Sequence, residues 1–361
     1  MVKINKTADN SAYLTEKIER YLQTLLSNNH FIGSVLVDRD GEVLLSRGYG
    51  MANLEHSIPN TSETKFRIAS LTKQFTATAI LKLQEQNLLD VNNSLATYLP
   101  DYPKGEQITV HQLLNHTAGI PSFTSFEDFP TKKRMAMELD ELIAWFKDRP
   151  LDFAPGDKFN YSNSGYAVLT KIIEVVSNLA YADYLQQHIF SPLKMNNSGY
   201  DRLESIISDR AAGYMFADEE YQNADFIDMS IPVGAGGLYS TVEDLYKWSK
   251  SIRTNRLLDR ASRNAMFSPT VEIPNEENQQ IYYGYGWKID RQHQKKRIFH
   301  EGIIDGFSTY FAQYPSEQIT DEQITDEQIT IVILSNLLQS PVAKIEQDLA
   351  AIAFDRADKS S

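Results

Sequence analysis

The spacing of apolar residues changes period twice along this chain. Leu14, Ile18, Tyr21, Leu22 and Leu25 fall at helical intervals and give way to Ser-Asn-Asn at 27–29, which predicts a surface helix over residues 13–27. Residues 31–37 and 43–49 read as two strands, and Asp38-Arg-Asp-Gly41 between them supplies turn residues that tolerate positive φ. From about Leu88 to Met266 the spacing is mostly helical, with irregular connections such as residues 121–130. The period then returns to two over residues 285–289, 297–300, 307–314 and 329–335. A final helix is predicted over 341–354, apolar at Val342, Ile345, Leu349, Ile352 and Ala353. The pattern predicts an α/β (α+β) fold in which an antiparallel sheet of about five strands is built from both chain ends, flanked by helices, around a large, mostly helical insertion. In residue numbers this is a discontinuous sheet domain over 10–68 and 280–361 and a helical domain over 69–279, with an active site at their interface.

Within that pattern the stretch from Phe66 to Gln86 stands apart. Read as a helix starting near Ser70, it places Leu71, Phe75, Ala79 and Leu83 on one row, with Ile80 and Leu81 beside it, so most of its circumference is apolar and buried. Ser70 and Lys73, three residues apart, share a face of this dry helix. A desolvated lysine favours its neutral form and takes a proton from a serine, while the helix start offers backbone N–H groups where an oxyanion would develop. Two readings remain at this point: a nucleophilic Ser70, or a core helix with Lys73 reaching toward its edge. Ordinary residue usage gives roughly one S-x-x-K by chance in such a chain, and Ser191-Pro-Leu-Lys194 is such a match, set in a proline-bearing turn context.

Composition narrows the chemistry. The 361 residues carry a net charge of -13, with the only compact basic clusters at Lys132-Lys-Arg134 and Lys295-Lys-Arg297, so a nucleic-acid partner has no electrostatic footprint. The absence of cysteine excludes thiolate catalysis, disulfides and cysteine-bound zinc, and seven dispersed histidines show no metal-ligand spacing. No metal and no cofactor are therefore expected. No apolar run approaches a membrane span, and the N-terminal residues have no signal-like run. As written the chain reads as cytoplasmic, or extracytoplasmic if a signal was trimmed.

Two further clusters carry polar side chains at element boundaries. Tyr161 and Asn163 lie in Asn160-Tyr-Ser-Asn-Ser-Gly165 ahead of a helix whose expected cap is Asn163 or Ser164. His300-Glu-Gly302 ends a strand and leads into Ile303-Ile-Asp-Gly306. Alone, each reads as ordinary packing. Between the last two strands, Glu317-Gln-Ile-Thr320 is followed by two copies of Asp-Glu-Gln-Ile-Thr; a five-residue period fits neither helix nor strand, which predicts a lengthened hairpin loop whose removal over 321–330 leaves fold and activity nearly intact.

Taken together and in this order, the three clusters resemble the serine β-lactamase and penicillin-binding protein family, and within it the class C β-lactamase, DD-peptidase and family VIII esterase branch. Further matching pieces are Leu113-Leu-Asn-His116-Thr-Ala-Gly119, Ile189-Phe-Ser-Pro-Leu-Lys-Met195, Gly234-Ala-Gly-Gly-Leu-Tyr-Ser-Thr241 and Tyr283-Gly-Tyr-Gly-Trp287. The resemblance implies that Ser70 is acylated, that Lys73 and Tyr161 handle its proton and pass it to the leaving group, and that Asn163 contacts the substrate amide. It places the backbone N–H groups of Ser70 and Ile303 around the oxyanion, Gly302 beside them, and His300 where many members carry lysine. A neutral histidine there weakens carboxylate recognition unless a neighbour such as Glu301 raises its pKa. The implied activity is hydrolysis of esters or amides, among them D-alanyl peptides, β-lactams and short-chain esters, by a monomer acting on a small-molecule or peptide substrate. A sensor or cell-wall-associated protein that acylates without efficient turnover is the alternative. Phe123, Phe126, Phe129, Tyr282 and Tyr283 are candidates for an apolar acyl pocket, and Lys73→Arg is expected to fold yet lose acylation.

Overall fold

The computed structural model describes residues 5–276, 279–316, 319–320, 323–324 and 328–355. Its central element is an eight-stranded sheet. In chain order the strands are β1 (Gly33–Arg39), β2 (Glu42–Tyr49), β3 (Val271–Glu272), β4 (Tyr282–Tyr283), β5 (Lys288–Gln292), β6 (Lys295–Ile304), β7 (Phe307–Tyr314) and β8 (Ile329–Ser335). Across the sheet they run β3-β4-β5-β6-β7-β8-β1-β2 with every neighbour antiparallel. The sheet is thus built from both chain ends, as the periodicity predicts, and is wider than the five strands expected. The excess comes largely from β3 and β4, which are two residues each and too short to show a period.

The strand β8 explains how both faces are covered. Every residue of Ile329-Thr-Ile-Val-Ile-Leu-Ser335 is buried. Ile329, Ile331 and Ile333 pack with Leu14, Ile18 and Leu22 of helix α1 (Asn5–Ser27) and with Ile345 and Leu349 of the C-terminal helix. Val332 and Leu334 point the other way, into a cluster with Phe75 and Trp248. Alternation at period two sends successive apolar side chains to opposite helical layers, and each fully buried Ile or Leu is worth about 1.5–3 kcal/mol.

The second layer is built around α2 (Thr72–Glu85), α3 (Asn163–Ser177) and α4 (Val242–Ile252). In α2, eleven residues from Thr72 to Leu83 are buried, including Lys73. The predicted helix start is refined by one turn: Ala69–Leu71 form a 3-10 turn that leads into α2, so Ser70 sits on the turn and Lys73 on the helix. A small three-stranded sheet, absent from the sequence reading, joins Phe66–Arg67, Leu238–Ser240 and Gly199–Tyr200 and fixes the approach to Ser70. The repeat is in part a correction. Ile319–Thr320 pair with Gln323–Ile324 in a two-stranded ribbon, but Ile329 and Thr330 belong to β8 and pair with both neighbouring strands. Gln328 is described just ahead of β8, and the remaining repeat residues lie outside those described. No helix among the described residues is long and apolar enough to cross a membrane.

Candidate active site

The chain reaches Ser70 through a segment held from two sides. The N–H of Ile68 donates to the carbonyl of Leu238 at 3.0 Å, and the hydroxyl of Thr309 on β7 donates to the carbonyl of Ile68 at 3.0 Å. Ala69 then adopts φ +48°, the left-handed region that L side chains visit only under constraint. Strand β6 passes tightly beside this turn because residue 302 is glycine. A Cβ there would lie 2.5 Å from the Thr309 hydroxyl, 2.6 Å from the Ile68 carbonyl oxygen and 3.0 Å from the Ala69 Cβ. That approach puts Ile303 in the wall of the same cavity as Ser70.

Lys73 is completely buried, and its ammonium form is disfavoured because burial strips it of water, so its pKa falls well below the ordinary lysine value. Its Nζ donates to Asn163 Oδ1 at 2.8 Å and to the carbonyl oxygen of Ala235 at 2.7 Å, and lies 3.2 Å from Ser70 Oγ. A neutral amine has two N–H donors and one lone pair. The two acceptors take the donors, which leaves the lone pair for the serine hydroxyl. The aromatic rings of Tyr161 and Tyr166 complete the enclosure, at 4.7 and 5.3 Å from Nζ.

Asn163 is free to meet Lys73 because it is not the helix cap. Ser162 caps α3, its hydroxyl accepting from Gly165 N–H at 3.3 Å, a correction to the expected Asn163 or Ser164. Asn163 then opens the helix with its amide turned into the cleft, its Nδ2 donating to Thr124 Oγ1 at 3.2 Å. Desolvation pushes the pKa of the Tyr161 hydroxyl well above the usual phenol value, against a smaller lowering by the neighbouring Ser70 hydroxyl, so it is a protonated phenol at rest.

His300 is buried, with Nε2 accepting from the Tyr283 hydroxyl at 3.1 Å and Nδ1 2.5 Å from the Glu301 carbonyl oxygen. Burial depresses its pKa to about 3, outweighing the neighbouring Glu301 carboxylate, which acts in the opposite direction. Glu301 is itself ion-paired with Lys288. The ring of His300 lies behind Tyr161 and Tyr283 rather than in the cavity wall.

The cavity at Ser70 has a volume of about 340 Å³. Phe123 and Phe129 line it, as the sequence reading allowed; Phe126 packs edge-on to Trp145 instead, and Tyr283 stands behind Tyr161 and His116. The other S-x-x-K match, at Ser191, lies on an exposed helical turn away from this cavity.

One residue with no role in the sequence reading stands at the centre of the cluster. His116 is buried with φ +62°, and its ring packs against Tyr161 at 4.3 Å, Tyr283 at 4.7 Å and Tyr166 at 5.1 Å. Its Nδ1 accepts the Ser162 N–H at 3.1 Å and its carbonyl accepts the Asn160 N–H at 2.9 Å, so it holds the loop bearing Tyr161 on both sides. The Leu113–Gly119 motif was its only signal, since a contact made 46 residues away has no local pattern.

Comparison with known proteins establishes the family and the fold. A family model described as Beta-lactamase matches residues 18–354. Penicillin-binding protein 4* of Bacillus subtilis (strain 168) is 31 % identical over 314 residues, 82 % of this chain and 68 % of that protein. The putative penicillin-binding protein PbpX of the same organism is 32 % identical over 264 residues, 73 % of this chain and 63 % of that protein. The chain therefore spans about two thirds of the length of these relatives. Among solved structures, the penicillin-binding protein homologue of Pyrococcus abyssi is 29 % identical with a TM-score of 0.81, covering 93 % of this chain and 76 % of that one. That homologue is described as octameric, so the fold is compatible with assembly beyond the monomer expected from sequence. With a family model over nearly its whole length and relatives matched along most of it, the chain belongs to the Beta-lactamase family, within the serine-hydrolase superfamily that includes the penicillin-binding proteins.

Proposed function

We propose that this chain hydrolyses esters or amides through an acyl-enzyme on Ser70, and that its preferred substrates carry no carboxylate at the leaving-group side. The observation that carries the reading is the neutral, doubly anchored Lys73 with its lone pair toward Ser70 Oγ. In the first half-reaction Ser70 Oγ attacks the carbonyl carbon and its proton passes to Lys73 Nζ. The tetrahedral oxyanion is held by the backbone N–H groups of Ser70 and Ile303. The bond to the leaving group then breaks, and the departing oxygen or nitrogen takes a proton from the Tyr161 hydroxyl, which is replenished from Lys73. Water repeats the sequence on the acyl carbonyl, returning Ser70 and releasing the acid. Asn163 orients Lys73 and offers its amide to the substrate, and Gly302 gives β6 the close approach that the oxyanion site requires.

The preference against a carboxylate rests on charge accounting around Ser70. Lys73 and His300 are neutral, Lys288 is paired with Glu301, and Lys133 is paired with both Asp305 and Asp225. A substrate carboxylate would lose its hydration without gaining an unpaired cation among these groups. His300 therefore serves as a neutral acceptor that anchors Tyr283 instead of a carboxylate receptor.

The test is a side-by-side assay of p-nitrophenyl butyrate, a D-phenylalanine amide and a chromogenic cephalosporin, with mass spectrometry of Ser70 after a serine-directed phosphonate. Continuous turnover of the ester or amide, a poor rate with the cephalosporin and a phosphonate adduct on Ser70 are expected. A single stoichiometric burst would favour the non-turnover alternative. Absence of a Ser70 adduct would overturn the mechanism.

A further inference from the structure

The basic cluster Lys132-Lys-Arg134 has no role in the chemistry above, and its three side chains part company in the fold. Lys132 pairs with Asp128 at the surface and Arg134 pairs with Asp225. Lys133 is buried and turns into the wall of the cavity that contains Ser70. Its Nζ lies 2.7 Å from Asp305 Oδ1 and 3.0 Å from Asp225 Oδ2, while its carbonyl accepts the Asp228 N–H at 2.8 Å. Three separate segments meet at this one ammonium: the end of the short helix Phe129–Lys132, the tight turn between β6 and β7, and the stretch from 225 to 228. Asp305 stands two residues beyond Ile303, so the bridge joins the strand that flanks Ser70 to the helical wall opposite.

We infer that the Lys133–Asp305–Asp225 bridge is the stop of the acyl pocket and restricts this hydrolase to short acyl groups, an inference that rests on the acyl-enzyme reading of Ser70. The cavity has two polar places, the Ser70, Asn163 and Thr124 cluster and the Lys133–Asp305 pair; most of the remaining wall, including Phe123, Phe129, Ile227 and Ile304, is apolar. An alkyl or aromatic acyl group gains contact with that wall until it meets the ion pair, where further extension would strip two charges of their partners. Outside the bridge, Met135 and Phe226 are the sequence neighbours of Arg134 and Asp225 and are 55 % and 48 % exposed. Removing the bridge would let a longer chain pass toward this apolar surface. Each methylene that finds an apolar place is worth roughly a factor of four.

The experiment is the ratio of kcat/KM for p-nitrophenyl decanoate to that for the butyrate, measured in the wild type and in Lys133→Ala, Asp305→Ala and Lys133→Arg. Ser70 labelling by a small phosphonate reports an intact catalytic cluster in each. The wild type is expected to favour butyrate. Both alanine variants are expected to raise the ratio by at least about tenfold, the gain from two or more newly accommodated methylenes. Lys133→Arg, which can rebuild the bridge, is expected to stay near the wild type. Asp305→Ala provides the answer if Lys133→Ala does not fold. An unchanged ratio in a variant whose Ser70 still labels overturns the inference, as does a wild type that favours decanoate or an arginine variant that shifts as far as alanine. Failure of the wild type itself to label at Ser70 or to turn over either ester refutes the acyl-enzyme reading, and the inference with it.

Discussion

The Tyr283 hydroxyl and His300 Nε2 form a buried hydrogen bond of 3.1 Å behind Tyr161. The tyrosine is the donor, because desolvation raises its pKa well above the usual phenol value, while His300 stays neutral down to about pH 3. The ring is therefore a fixed acceptor and not a switch over the physiological range.

A stability slope follows from this. Unfolded, His300 titrates near pH 6.5; folded, only near 3. Above about pH 6.5 both states are neutral and the residue imposes no penalty. As pH falls from there toward 3 the unfolded chain takes a proton that the native one refuses, and stability is lost, by on the order of a few kcal/mol at the acid end. The expected result is that His300→Asn flattens the acid limb of unfolding free energy measured by urea denaturation between pH 4 and 7. In the wild type, the His300 imidazole NMR signals should not titrate above pH 5. A transition near 6.5 would mean that the ring is solvated and available to a substrate carboxylate.

Lys73 presents the opposite balance between activity and stability. Burial in the native state pulls its pKa well below the ordinary lysine value, whereas the unfolded lysine is protonated up to about pH 10.4. Between the lowered native value and 10.4 the unfolded state binds the extra proton, so the site lowers stability at neutral pH and this penalty fades as pH rises. Lys73→Met is expected to be at least as stable as the wild type at pH 7 while losing acylation by at least about a hundredfold. Lys73→Arg, expected from sequence to fold normally, becomes the harsher change: it forces a permanent charge into a fully buried place whose acceptors are Asn163 and Ala235, with no carboxylate among the described residues bonded there, and burying such an ion costs several kcal/mol. Paired denaturation curves and acylation rates decide it. Rapid phosphonate labelling of Lys73→Met would remove the lysine from the role of base.

The sequence carried Ser70 and Lys73 because i and i+3 on an apolar helix is a local signal. The strands β1, β2, β7 and β8 were legible for the same reason, each being long enough to show period two. What was hidden came from partners far apart in the chain. Ala235, 162 residues from Lys73, contributes a backbone carbonyl, and no side-chain identity encodes that. Ser162 displaced Asn163 as the helix cap because both residue types cap well and only the tertiary pull of Lys73 separates them.

His116 illustrates the same limit and can be tested directly. With Nδ1 occupied by the Ser162 N–H, its proton sits on Nε2, a buried nitrogen between aromatic rings with no hydrogen-bond partner among the described residues. Replacement by leucine leaves the Ser162 N–H buried and unpaired, at about 1–3 kcal/mol, and loosens the loop bearing Tyr161. His116→Leu should lower the acylation rate more than it weakens substrate binding. His116→Asn, whose amide oxygen can accept from the Ser162 N–H, should recover part of the rate. Equal damage by both, confined to thermal stability, would reduce His116 to a packing residue.

The five-residue repeat yields the sharpest contrast between length and register. Ile329 and Thr330 are buried in β8, paired with Arg39 and Asp38 on one side and with Tyr314 and Gln313 on the other. Gln328 exchanges hydrogen bonds with Asp40, at 2.8 Å in each direction, and accepts from Arg253 at 2.9 Å. Removing residues 321–330 nevertheless places Gln318-Ile319-Thr320 directly before Ile331, the same triplet in the same register. It leaves Pro315-Ser-Glu-Gln318 to connect β7 to β8, a four-residue length common in hairpins. Because loop entropy changes by only about 0.6 kcal/mol per doubling, this ten-residue deletion should shift stability by about 1 kcal/mol or less. A deletion of only four residues, 326–329, brings Thr325 into the buried place of Ile329 and Ile324 into that of Gln328. That change should cost about 2 kcal/mol or more, from the lost apolar burial and the broken contacts with Asp40 and Arg253. Urea denaturation of the two deletions tests the assignment. If the ten-residue deletion unfolds the protein while the four-residue one is tolerated, the register of β8 is set by something other than the Gln-Ile-Thr triplet.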